Sequence, residues 1–252
     1  MASRSIARSD TRVHPRAWLR TIGIALWLVV CLPLHGLWRL FGAPSPWPRL
    51  FLRGVAVAAG VDVRTVGEPV ARSVLYIANH VSWLDIAVLA GRTGSAFVAK
   101  AEMAPWPVIG WLANLNNSVY VERSARLDVG AQARALGMAL ATGQPLTLFP
   151  EGTMGDGTVL LPFRSSLIAA VAPPPPGIAI QPVAIDYGAD AAAIAWVDDE
   201  PVGRNALRVM SRAGRMTCTL HFLEPLSTED FPHRKAIAAH SRDAIAARLG
   251  HA

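Results

Sequence analysis

The segment Asn79-His80-Val81-Ser82-Trp83-Leu84-Asp85 sets a histidine five residues before an aspartate, where a β-like run gives way to a helix-like one. A neutral imidazole oriented by a carboxylate is the usual protein base for taking a proton from an alcohol near pH 7. Ser82, three residues before Asp85, has the form of a helix N-cap with an acidic N3 residue. That start would put Asp85 in the first helical turn and let the loop fold His80 back onto it. Asp85 would then hold the Nδ1 proton and leave Nε2 free to accept one. The spacing is weak by itself, because a capping aspartate beside an unrelated histidine gives the same pattern.

Phe149-Pro150-Glu151-Gly152-Thr153 supplies a second wall. An apolar strand-like run, 146–149, ends at Pro150, and Glu151-Gly152 follows at the strand exit. In parallel sheets that edge is where ligands bind, and glycine lets backbone approach them closely. A strand-terminating turn has the same composition. Gly155-Asp156-Gly157 lacks the third glycine and the Lys-Ser/Thr of a phosphate loop, so it reads as a turn. No Gly-x-Ser-x-Gly elbow occurs, which argues against a serine hydrolase. The seven histidines show no metal spacing, and neither a metal nor a cofactor is expected.

These residues need a frame. The short β-rich runs 73–78, 96–100, 118–122, 146–149 and 178–185 alternate with helical stretches at 83–91, 106–114, 126–142 and 164–172. This alternation predicts an α/β fold with a mostly parallel central sheet covered by helices. Residues 192–197 and 216–222 read as later strands, 230–249 as a closing amphipathic helix, and 173–176 as a stiff proline turn. The length, 252 residues, suits one such domain, over 61–252, behind a membrane-anchoring segment at 18–60 and a disordered basic tail at 1–17.

Residues 21–38 are uncharged between Arg20 and Arg39, about 27 Å as a helix, and contain Pro33 and His35. Arginines flank the run on both sides, so the charge bias chooses no orientation. A membrane-anchoring helix that spans and a helical hairpin bent at Pro33 both stay open. Trp18, Trp27 and Trp38 suit an interface, and 49–59 follows as a short amphipathic helix carrying Leu50, Phe51, Val55 and Val57. A net charge of +6 with 17% charged residues and a mean hydropathy of +0.32 favours an anionic membrane surface. Without zinc-finger spacing or a basic helix, nucleic acid is not an expected partner. Cys31 and Cys218 lie far apart in sequence and predict no disulfide framework.

Taken together, the segments resemble the glycerolipid acyltransferase family that contains 1-acylglycerol-3-phosphate acyltransferases. Four blocks match in order: Asn79 with His80–Asp85; Asn117-Ser118-Val119-Tyr120-Val121-Glu122-Arg123; Phe149 to Thr153; and Ile180-Gln181-Pro182-Val183-Ala184. Leu161-Pro162-Phe163-Arg164 is similar to a further family segment, and the likeness covers roughly residues 45–225. Asn117 and Ser166 stand where the family has glycine; asparagine tolerates positive φ, so the turn at 117 can survive.

The resemblance implies that His80 takes the proton from a glycerol-type hydroxyl, which attacks an acyl thioester of coenzyme A or acyl carrier protein. Asp85 orients the imidazole. The expected acceptor is 1-acylglycerol-3-phosphate, a lysophospholipid, giving phosphatidic acid. Lyso-ornithine lipid is the alternative acceptor, and a non-enzymatic membrane-binding module the alternative class. Arg123 offers a planar fork for phosphate, and Lys100, at a strand end, and Arg164 are further candidate ligands. Glu151, with Gly152 and Thr153, is expected to fix the glycerol hydroxyls or Arg123. The expected location is the cytoplasmic face of a bacterial inner membrane.

Overall fold

Alternate residues of strand β2 (Val74–Ala78) enter two different cores: Val74, Tyr76 and Ala78 point to one face of a sheet, Leu75 and Ile77 to the other. A strand buried on both faces belongs in the middle of a parallel sheet. The computed structural model describes residues 14–121, 129–169, 177–197, 200–227 and 233–250. After two N-terminal helices, α1 (Pro15–Arg39) and α2 (Trp47–Ala58), come β1 (Val61–Val66), β2, α3 (Leu84–Thr93), β3 (Ala96–Lys100), α4 (Ile109–Leu115) and β4 (Val119–Val121). They are followed by α5 (Val129–Ala141), β5 (Leu146–Leu148), α6 (Ser165–Ile168) and β6 (Ala179–Asp186). The chain closes with α7 (Ala191–Ile194), α8 (Val202–Met210), β7 (Met216–Phe222) and α9 (Arg234–Leu249).

The seven strands lie in the order β1-β7-β6-β2-β5-β3-β4. Pairings are parallel except between β6 and β7, so β7 and β1 run against the rest. Phe51 and Val55 of α2 with Leu84 and Val88 of α3 cover one face; Leu136 and Leu140 of α5 with Ile237 and Ile245 of α9 cover the other. The expected mostly parallel, helix-covered sheet is the fold observed.

Four expectations fail locally. Residues 192–197 form no strand: Ala191–Ile194 is a helical turn, because alanine favours helix and β6 is already paired on both sides. The chain does not bend at Pro33, since α1 runs through it to Arg39. The reversal lies at 40–46, where Gly42 takes φ +68°, and α2 is the returning limb of the hairpin. That limb begins at Trp47, two residues earlier than its apolar pattern suggests, and Val57 faces outward. Helix α1 already begins at Pro15, inside the stretch expected to be disordered. The proline turn at 173–176 lies outside the described residues.

Helix α1 is docked along one side. Near its start, Arg20 Nη1 donates to the carbonyls of Met210 and Arg212 at 3.0 and 3.1 Å. Midway, Trp27 Nε1 donates to Leu50 O at 3.2 Å, and near the end His35 Nδ1 lies 2.8 Å from Ser45 Oγ. Gly54 makes this crossing possible: a Cβ there would sit 2.2 Å from Trp27 Nε1. The other side of α1, including Leu19, Leu26 and Val29, is exposed. By length and composition α1 could cross a membrane.

Candidate active site

Strand β2 delivers its last residue to the carboxyl edge of the parallel strands, and the next four form a loop held through its backbone. The Asn79 carboxamide imitates a strand partner: Nδ2 donates to Ile185 O at 3.0 Å, and Oδ1 accepts from Ile185 N at 2.8 Å. His80 N donates to Glu151 Oε1 at 2.7 Å, and His80 O accepts from Gly155 N at 2.9 Å. Val81 O accepts from Trp196 N at 3.1 Å.

Asp85 is fully buried in the first turn of α3 and reaches back over this loop. Its Oδ2 accepts from Val81 N at 2.7 Å, from Ser82 N at 2.9 Å and from His80 Nδ1 at 2.8 Å. Tyr187 OH donates to Oδ1 at 2.8 Å. A carboxylate has no proton to give, so Nδ1 of His80 is the donor and Nε2 carries the lone pair. The aspartate therefore ties the preceding loop to the first turn of α3. Ser82 is not the N-cap: that residue is Trp83, and Ser82 Oγ only accepts from Leu84 N at 3.4 Å. The imidazole is stacked on Phe149, centroids 4.0 Å apart and planes within 10°. Its side chain is 12% exposed.

His80 lines a cavity of about 190 Å³ with Asn79, Glu151, Gly155, Asp186 and Tyr187. A base with a free lone pair on a small, partly enclosed cavity is arranged to deprotonate a bound hydroxyl. Tyr187 escapes a motif search, although it follows β6 at the same productive edge. Burial, and then the charge on Asp85, raise its pKa well above the ordinary value, so the phenol stays protonated and donating. The Cys218 thiol beside it is raised in the same way.

Glu151 is placed differently from expectation. Both oxygens are taken by backbone, Oε1 by His80 N and Oε2 by Leu161 N at 3.2 Å. It braces two loops. Gly152 turns the chain at φ +76°, a conformation that penalises a side chain, and Thr153 is exposed. Lys100 ends β3 half-buried, and Arg164 is exposed before α6 with its backbone N–H on Pro150 O. Neither lines the cavity. Arg123 lies outside the described residues. Asn117 does adopt positive φ, +57°, in the turn where the family has glycine. Asp156 accepts from Thr158 N and Val159 N, which makes 155–157 a turn.

Burial pushes the Glu151 carboxyl up to about 8, against two backbone hydrogen bonds that lower it; the charge on Asp85 adds to the rise. A folded-state value above the ordinary 4.5 means that the native state holds this proton more tightly. The resulting stability is present in full below 4.5 and is lost as pH rises through about 8. Denaturation midpoints of wild type and Glu151→Gln, measured from pH 5 to 9, should show the wild type falling relative to the variant as pH rises, because only the wild type loses this contribution. Parallel curves would contradict the raised value.

The family model described as Acyltransferase matches residues 62–186. A protein named lyso-ornithine lipid O-acyltransferase from Rhodobacter capsulatus is 34% identical over 250 residues, 93% of this chain and 90% of the relative. A 1-acyl-sn-glycerol-3-phosphate acyltransferase from Neisseria meningitidis is 35% identical over 170 residues, 66% of this chain and 61% of the relative. The crystal structure of PlsC, the 1-acyl-sn-glycerophosphate acyltransferase from Thermotoga maritima, superposes with a TM-score of 0.64 at 23% identity, covering 93% of this chain and 95% of that one.

Proposed function

The chain belongs to the acyltransferase family that acylates lysolipids, and from this we propose that it moves a fatty acyl group from a thioester to the free hydroxyl of lyso-ornithine lipid. The chemistry is carried by one observation, the 2.8 Å bond from His80 Nδ1 to Asp85. His80 Nε2 takes the hydroxyl proton as the oxygen attacks the thioester carbonyl. The tetrahedral intermediate collapses by breaking the C–S bond, and the departing thiolate takes the proton back from the imidazolium. Asp85 stabilises the imidazolium while it exists.

The acceptor is chosen on the end-to-end similarity to the Rhodobacter capsulatus protein. The Neisseria meningitidis relative supports a second reading, with 1-acylglycerol-3-phosphate as acceptor and Arg123, Lys100 and Arg164 on its phosphate. An assay of purified protein with both acceptors, each offered coenzyme A and acyl-carrier-protein thioesters, separates them. Transfer to lyso-ornithine lipid should dominate; transfer to lysophosphatidate alone would sink the first reading.

For the membrane, we infer that α1 lies in the cytoplasmic leaflet of a bacterial inner membrane rather than crossing it. One side is committed to α2 and to the segment before β7 along its length, and the opposite apolar side is free to meet lipid.

A further inference from the structure

The cavity beside His80 has a charged wall that proton transfer does not use. Asp186 is the last residue of β6, its side chain 38% exposed. Gly188 N donates to Oδ1 at 2.7 Å, which fixes the carboxylate without neutralising it. His221 Nε2 is 3.8 Å from Oδ2, beyond hydrogen-bond reach. The His221 ring is a poor counter-charge. Its Nδ1 accepts from Arg248 Nε at 2.9 Å, and burial, then Arg248, lower its pKa further than Asp186 raises it. Among the described residues lining the cavity there is no lysine or arginine. Arg242 and Arg248 of α9 keep their charges, hydrogen-bonded to Leu160 O and His221 Nδ1, and neither pairs with Asp186.

A cavity that combines the base with a carboxylate paired to no lysine or arginine, and with neither in its wall, favours an acceptor with a positive end over one with a phosphate. We propose that Asp186 is a specificity-determining residue that binds the primary ammonium of the acceptor headgroup while the hydroxyl reaches His80 Nε2. This rests on the lyso-ornithine reading, since ornithine acylated on its α-nitrogen keeps a δ-ammonium.

The test compares lyso-ornithine lipid with its δ-N-acetyl derivative, which has the same hydroxyl and carboxylate but no ammonium, and includes lysophosphatidate. Wild type should prefer the free amine by about tenfold in kcat/KM, the scale of a partly exposed charge-assisted hydrogen bond. Asp186→Asn keeps an oxygen for Gly188 N and removes the charge, so the preference should fall to about one. Asp186→Glu should restore part of it. Equal use of the two ornithine acceptors by wild type, or an undiminished preference in Asp186→Asn, would overturn the assignment. Transfer by wild type to lysophosphatidate and to neither ornithine acceptor would overturn the acceptor reading and this subsite together.

Discussion

Replacing His80 by alanine should lower acyl transfer by about 10³-fold, the middle of the range for a lost general base. The fold should survive. The tethers of this loop run through backbone atoms, from His80 N to Glu151 and from Gly155 N to His80 O, and an alanine keeps both. What disappears is the imidazole, its stacking on Phe149 and one of the four hydrogen bonds to Asp85. Transfer assays on purified His80→Ala, with vesicle binding measured on the same preparation, separate an enzyme from a membrane-binding module. Near-normal transfer would show that another group is the base. Loss of both transfer and vesicle binding would point to misfolding.

The second large effect is at Asp85, where asparagine and alanine should behave differently. Asparagine can turn its oxygen to Val81 N, Ser82 N and His80 Nδ1, and its NH2 to Tyr187. A tyrosine hydroxyl accepts as readily as it donates, so every group keeps a partner. The histidine tautomer is preserved, and only the charge that stabilises the imidazolium is lost. Transfer should drop by about 10²-fold, less than when a neutral partner also imposes the wrong tautomer. Alanine instead strands two backbone N–H groups, a phenol and an imidazole in a fully buried position, which should cost about 3–5 kcal/mol of stability. Thermal unfolding and transfer measured on both variants check this. An Asp85→Asn variant as unstable as Asp85→Ala would mean that the carboxylate matters for folding more than for transfer.

The alternation of β-rich runs with helical stretches was enough to place β2, β3, β5 and β6, because a parallel core requires continuous apolar runs of that length. The partnership of His80 with Asp85 was legible for a similar reason: both sit within one local turn, where spacing constrains geometry. What sequence did not carry is long-range. Tyr187 reaches Asp85 across 102 positions, and Glu151 meets His80 N across 71. At the strand exit Glu151 read equally as a ligand position or as a strand-terminating turn, and the family resemblance implied the ligand role. Only the fold reveals that both of its oxygens are occupied. The bend assigned to Pro33 failed because proline removes a single backbone donor, and a helix braced along its side by α2 tolerates that loss. Edge strand β1 and helix α8 were not among the expected elements, although Val61-Asp62-Val63-Arg64 alternates as a strand does and α8 is amphipathic.

The loop that carries His80 is gripped almost wholly by its main chain. Glu151, Gly155, Trp196 and Asp85 bind the amides and carbonyls of residues 80 to 82, and none of these contacts depends on the side chains of Val81 or Ser82. Such a grip separates two kinds of evolutionary freedom. The proton-transfer apparatus is insulated from drift in the surrounding side chains, while a wall residue such as Asp186 can change without moving the histidine. Divergence of acceptor preference on this scaffold then needs only a few substitutions in the cavity wall and no redesign of the reaction centre.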